Sequence, residues 1–438
     1  MDARTAALDD SAPRPLQPAP IKVAVLVDLT WGPRAGGHVK CWERLAMAAA
    51  RFAGELDLTV YFSGATREIH PLGESVRYVI EPPVFSTRRL GFLSRVPDHT
   101  DLAPWHPRLA RALRHYDVIH TTDAFFAYTR TACRVARRHG IPLVNSIHTN
   151  TPEYARLFTT ELIERAFGSG RAARFLNDRL GIASRVEQHM LRRLARHQRD
   201  CAFALFSRPE RLETEMARLG GRAGILRRGI DRAFFDPQKR DRAWLAAAHG
   251  VPPERLVVFS AGRLHHGKNV LFLVEAMAAL IARGIDAHLL WAGDGDLRET
   301  VQQRLGPRVT CPGVVDPAHL ARLYACADIF ALSSRVEEWA NVTLEALASG
   351  LPLLVAAESG MGRIVFDGET GYVLPTTAID VWVETLAALA AEPERRAGMG
   401  QAARRYAERS LPSWSDVLAE DLLPRWRQAA MQRRPAAR

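Results

Sequence analysis

The sequence predicts an α/β protein built from two doubly wound domains, and three observations carry that expectation. Short apolar runs of strand type alternate with helical patterns along most of the chain, the arrangement that places helices on both faces of a parallel sheet. A strand, loop and helix unit near the start is repeated at the opening of the second half. The chain has 438 residues, 47% of them apolar, enough to bury substantial cores and more naturally two than one.

Residues 1–20 are rich in Ala, Pro and Asp and lack an apolar signal core, so they are expected to be a disordered leader, leaving the chain inside the cell. Residues 21–27, apolar except for Lys22, form a buried parallel-strand pattern, followed by a loop over 28–37 and a helical pattern over 39–52. Gly36 and Gly37 at that helix start permit close approach of backbone to a ligand, as glycine loops do around phosphates, or make a plain turn.

Further strands are expected at 57–62, 76–80, 118–120, 143–147 and 202–207. The fourth and fifth segments of this half end in the polar residues His120 and His148, where open α/β sheets place ligands. His148 is the candidate of choice. His120, with Tyr154 downstream, is carried as an acceptor-side candidate; a structural histidine and a packing tyrosine are the alternatives.

Two basic and apolar stretches suit an anionic membrane surface, with a solvated face as the alternative. One is 82–107, with Arg88, Arg89, Arg95, Phe85, Leu90, Phe92, Leu93 and Trp105; the other is 165–199, where nine arginines surround Phe167, Phe175, Leu176 and Leu180.

A linker is expected around 208–224. The second half opens with a strand over 256–261, then Arg263 and Lys268 ahead of a helix over 270–283. A guanidinium that can fork onto phosphate oxygens and an ammonium point charge together neutralise a diphosphate without a metal. His265 and His266 are adjacent and have no carboxylate set beside them, so no metal site is expected. Strands follow at 287–292, 309–315, 329–332 and 353–356, and a last helix at 414–431 precedes a basic tail at 432–438.

The most informative stretch is 335–352. Glu337 and Glu345 lie eight positions apart, which on one helix would set them about 80° apart, too far to act as a pair. They are better divided: Glu337 in a loop at the strand end, Glu345 within a helix that stops at Gly350 with Pro352 behind it. The amides of Ala340, Asn341, Val342 and Thr343 are then open donors that attract phosphate. Carboxylates beside such a site accept hydrogen bonds from neutral hydroxyls instead, and a nucleotide sugar presents both groups.

The net charge of +11 calls for an acidic partner, either nucleic acid, anionic lipid or a phosphorylated ligand, although an arginine excess also follows from a GC-rich genome. The absence of RNA-binding, zinc-finger or helix-turn-helix patterns argues against nucleic acid. Cys41, Cys133, Cys201, Cys311 and Cys326 show no metal or redox spacing and suit a reducing compartment. No apolar run reaches the length of a membrane span.

The 335–352 stretch, with Gly262-Arg263-Leu264, Lys268-Asn269 and the Gly36-Gly37 loop, resembles the retaining glycosyltransferases of family 4. Asn341 is most similar to the sulfoquinovosyl- and mannosyltransferase branch. The resemblance covers nearly all of 21–430 and implies the GT-B fold. Two Rossmann-like domains, an acceptor domain over 21–210 and a donor domain over 220–410, would face each other across a cleft. The segment 411–431 would cross back onto the first domain.

The resemblance also implies roles. The diphosphate would lie on Arg263, Lys268, Gly36, Gly37 and the amides of Ala340, Asn341 and Val342, the nucleobase against backbone near Gly313, the ribose on Glu345, and sugar hydroxyls on Glu337 and His148. Catalysis would rest on Glu337, Arg263, Lys268 and His148. The implied activity is metal-independent transfer, with retention, of a hexosyl unit from a nucleotide-diphosphate sugar, UDP-linked by preference and GDP-mannose next. The acceptor would be a hydroxyl of a lipid or glycan at the cytoplasmic membrane face, and no cofactor would be needed. Glu338, Trp339, Ala340 and Arg363 depart from the family pattern and leave the sugar open. A glycosidase would have no use for the Arg263/Lys268 pair; a non-catalytic sugar-nucleotide-binding subunit stays open.

Overall fold

The computed structural model describes residues 19–33, 35–89, 100–168, 170–337 and 339–433. Most of the proposed leader, residues 90–99 of the first basic stretch, Glu338 and the end of the tail lie outside them.

Eight strands form the first sheet: β1 (Ile21–Thr30), β2 (Leu56–Ser63), β3 (Glu68–Pro71), β4 (Val76–Glu81), β5 (Val118–Thr121), β6 (Leu143–Ser146), β7 (Phe203–Phe206) and β8 (Ala223–Ile225). Their order is β3-β4-β2-β1-β5-β6-β7-β8, parallel throughout except for β3 against β4. Six form the second: β9 (Leu256–Ala261), β10 (Ala287–Ala292), β11 (Val309–Gly313), β12 (Ile329–Leu332), β13 (Leu353–Ala356) and β14 (Gly371–Leu374), all parallel in the order β11-β10-β9-β12-β13-β14.

Why the central strands read as almost unbroken apolar runs is visible in their burial. Along β1, Val23, Val25 and Val27 enter the core on one face of the sheet while Ala24 and Leu26 enter the core on the other. In β9, Val257, Phe259 and Ala261 face one core, and Leu256 and Val258 the opposite one. Both faces are covered, so neither strand has a polar side. The chain order reverses beside β1 in one sheet and beside β9 in the other, and ligands of such sheets bind outside the strand ends at those switch points.

The stretch read as a linker is structured. It holds the helix Leu212–Arg218 and then β8, which pairs with β7 and closes the first sheet. Three residues with a glycine in the middle carry too little periodicity to be seen as a strand. The chain therefore crosses between domains at 226–230. There Ile230 donates its amide to Pro412 O at 3.0 Å, so the outgoing and returning crossings run side by side. A Cβ on Gly229 would sit 2.6 Å from the backbone of Trp414, which only glycine avoids.

The returning segment, Trp414–Asp416, a widened turn at Val417–Leu422 and the helix Leu423–Ala430, buries Val417, Leu418, Leu422, Leu423, Trp426 and Ala429 in the first domain's core. Pro424 has no N–H to continue the ladder, which accounts for the widened turn before it. Between β6 and β7 the helices Thr151–Phe167 and Ile182–Asp200 pack together; Leu162, Phe167 and Leu191 on them, and Phe175 and Leu180 in the connection between them, are exposed. Among the described residues no helix is long and apolar enough to cross a membrane.

Candidate functional site

The strand ends of the two sheets face a cleft of about 2070 Å³. Gly36, Gly37, His148 and Tyr154 line it from the first domain; Arg263, Lys268, Gly313, Glu337, Ala340, Asn341, Val342 and Glu345 line it from the second. His120 does not reach it. It is fully buried between Trp42 and Trp426, and its burial pushes its pKa down to about 3. The acceptor-side reading of His120 is therefore corrected: an imidazole walled by two indoles cannot meet a substrate.

Among the helices whose starts line the cleft, those after Gly36, Phe126 and Ala340 lack a side-chain cap, whereas Asn150 and Asp316 cap theirs. Leaving first-turn amides open costs stability unless a ligand takes them. Two of these starts touch across the cleft, where Asn341 Nδ2 donates to Gly37 O at 3.4 Å. Tyr154 makes a second bridge, its hydroxyl donating to Val336 O at 3.3 Å.

The two charges read as ligand contacts pair with each other: Lys268 Nζ lies 2.5 Å from Glu337 Oε1. Burial works against the ammonium, but the Glu337 charge, with Tyr154 and the hydrogen bond, outweighs it and holds the lysine pKa above its ordinary value. Glu345 is held the other way. Burial raises its carboxyl, opposed by Arg44 from the first domain and by the hydroxyl of Tyr324, 3.0 Å from Glu345 Oε2. Gly313 holds the end of β11 against β10, accepting from Gly293 N at 2.9 Å, and a Cβ on Gly293 would strike Gly262 O.

His148 is the centre of a buried chain of hydrogen bonds. Arg228 Nη2 donates to its Nδ1 at 2.9 Å, and its Nε2 lies 2.8 Å from Ser146 Oγ. Trp42 Nε1–H donates to the same Nε2 at 3.2 Å, and Ser146 in turn meets His120 Nε2 at 2.8 Å. Both ring nitrogens are occupied, so a sugar hydroxyl reaches His148 only by displacing one of these partners. Burial, then Arg228, keeps this ring well below the usual histidine range.

Sequence reasoning missed Arg228, Arg44 and His38. Arg227 and Arg228 look alike in sequence, yet in an extended segment they point oppositely: Arg227 pairs with Asp421 and Glu420, while Arg228 lines the cleft. The departures Trp339 and Arg363 explain each other, since the guanidinium sits 4.2 Å over the indole. Among the described residues no group of three His, Cys, Asp or Glu side chains is placed to hold a metal.

Residues 241–406 match the family described as glycosyl transferases group 1. A D-inositol 3-phosphate glycosyltransferase of Saccharomonospora viridis is 30% identical over 314 residues, 67% of each chain. The chain belongs to that glycosyltransferase family. An alpha-D-kanosaminyltransferase of Streptomyces kanamyceticus is 28% identical over 68% of this glycosyltransferase and 72% of its own length. The sulfoquinovosyl transferase SQD2 of Arabidopsis thaliana is 25% identical over 69% of this chain but 56% of its own. The fold is shared with a sucrose-phosphate synthase of Thermosynechococcus elongatus, at TM-score 0.67 and 18% identity over 94% of this chain and all of that one. This glycosyltransferase has the two-domain GT-B architecture.

Proposed function

We propose that the protein transfers a hexosyl unit from a nucleotide-diphosphate sugar, UDP-linked by preference and GDP-mannose next, to a hydroxyl of a lipid or glycan, with retention and without a metal. The observation that carries this reading is one cleft in which Arg263 and Lys268 stand with the uncapped helix starts after Gly36 and Ala340. Two cations and two sets of open amides match a diphosphate. A structural neighbour from Anabaena carries UDP and glucose, which supports the same donor class.

In this scheme Lys268 leaves Glu337 for the diphosphate, freeing the carboxylate to accept sugar hydroxyls, while Glu345 accepts from the ribose and backbone near Gly313 meets the base. The acceptor hydroxyl approaches C1 from the face the diphosphate leaves. The C1–O bond to the acceptor forms as the C1–O bond to phosphate breaks, and the hydroxyl proton passes to the departing phosphate oxygen. Charge developing on that leaving group is what Arg263 and Lys268 stabilise. Closure of the cleft limits hydrolysis.

On the acceptor side, Tyr154, Leu157, Phe158 and Met190 line the cleft, and the apolar surface continues outward to Leu162, Phe167 and Phe175 among arginines. That continuity favours an amphipathic acceptor at an anionic membrane face.

The test is turnover of UDP- and GDP-sugars with a membrane extract, with the product anomer read by NMR. Arg263→Ala and Glu337→Gln are each expected to lower turnover about 100-fold or more, and EDTA to leave it unchanged. An inverted product or a metal requirement sinks those parts of the scheme; turnover surviving both substitutions sinks the site.

A further inference from the structure

Arg228 is a cation that this scheme does not use. It lines the cleft with only 3% of its surface exposed. Its neighbour Arg227 has two carboxylates; Arg228 has none among the described residues. Its Nη2 meets a neutral imidazole nitrogen of His148, and its Nη1 is buried without an acceptor. A buried guanidinium lacking a counter-charge is costly, and the fold keeps it only if something else supplies the anion.

A second orphan lies beside it. His38, in the first turn of the helix after Gly36-Gly37, stacks on His148 with ring centroids 4.4 Å apart and planes 7° from parallel, and its Nε2 is also buried without a partner. Burial, then the Arg228 charge, takes His38 down to about 3, so at neutral pH it offers an N–H or a lone pair and no charge of its own. Two adjacent cleft residues thus hold unfilled polar atoms: one guanidinium N–H and one imidazole nitrogen. Water could take the second; it would leave the charge of the first unmatched.

We propose that Arg228 and His38 form a subsite for an oxyanion carried by a carbohydrate substrate, a carboxylate, sulfonate or phosphate group that fills Arg228 Nη1 and accepts from His38. This rests on the nucleotide-sugar reading. The diphosphate has its own cations in the second domain, whereas Arg228 lies against His148 at the end of β6 in the first, so the anion belongs to the sugar being moved or to the acceptor. A cationic amino sugar would be repelled.

Calorimetric titration separates these sources. UDP and GDP are titrated alone, and the one that binds defines the donor pair: UDP-glucuronate against UDP-glucose, or GDP-mannuronate against GDP-mannose. On the nucleotide-saturated protein, inositol 1-phosphate is compared with inositol. The acidic member of one pair is expected to bind at least about 10-fold tighter, and Arg228→Gln to bring that ratio below about 3-fold. Arg228→Lys, which keeps the charge, is expected to retain part of it. Equal affinities in both pairs with wild-type protein overturn the proposal whether or not the variants fold, as does a preference that survives Arg228→Gln. Failure of both UDP and GDP to bind is a different result: it removes the nucleotide-sugar reading and the subsite with it.

Discussion

Lys268 and Glu337 neutralise each other at 2.5 Å, so the proposed scheme has ligand binding break one ion pair to make another. Removing either partner strands the other in a half-buried place, and a double-mutant cycle is expected to show a coupling of about 1 kcal/mol or more in the ligand-free protein. Glu345 tests the opposite balance. Its carboxyl is raised by burial, so the folded state holds that proton more tightly than the unfolded chain does, and stability declines as pH rises through the interval above the ordinary value of 4.5. Glu345→Gln is therefore expected to leave Tm at pH 7.5 unchanged or higher while weakening UDP binding about 10-fold. A fall in Tm, or full affinity, refutes the account of this residue. The buried histidines give a pH signature of their own. His38 and His120 titrate near 3 in the fold against an ordinary 6.5, so below 6.5 the unfolded chain binds protons that the fold refuses. Stability should be complete above pH 6.5 and fall by about 2 kcal/mol or more by pH 4.5, read from denaturant melts.

At the scale of elements, the helix Asn341–Ala348 starts on Ala340, where a side chain able to accept from the third amide would be the stabilising choice. Serine there would supply that acceptor and compete with a phosphate for the same donors. Ala340→Ser is expected to raise stability by up to about 1 kcal/mol and to weaken nucleotide binding severalfold; tighter binding would contradict the role given to these amides. The same trade explains why Gly36, with no side chain, precedes the helix it faces.

At the scale of the molecule, the crossings at 226–230 and 411–414 are laced together, and the returning helix completes the first domain's core. Trp426 is fully buried and donates Nε1–H to His120 Nδ1 at 2.9 Å, which connects that helix through Ser146 to His148 in the cleft. Trp426→Ala is expected to cost about 3–5 kcal/mol, more than a helix merely resting on the surface could lose. Gly229→Ala would force the crossings apart at Trp414 and should lower both stability and turnover, because these crossings join the two domains that line the cleft. Unchanged kinetics and melting in that variant would show that the crossings tolerate separation.

The sequence by itself determined the two parallel sheets, because strands covered on both faces must be apolar almost throughout, as 21–27 and 256–261 are but for Lys22 and Ser260. It also pointed to most of the cleft: glycines, cations ahead of a helix and a helix without a capping residue are local signals, readable at Gly36, Gly37, Arg263, Lys268 and the stretch around Asn341. What it hid depended on partners far along the chain. β8 is a strand only because β7 offers an edge. His120 is a core residue only because Trp42 and Trp426, 78 and 306 positions away, enclose it. Arg227 and Arg228 separate only once one meets Asp421 and the other the cleft. Backbone pattern and helix ends are fixed by neighbours in sequence; the charge state and company of a buried polar group are fixed by neighbours in space, and those exist only after the chain has folded.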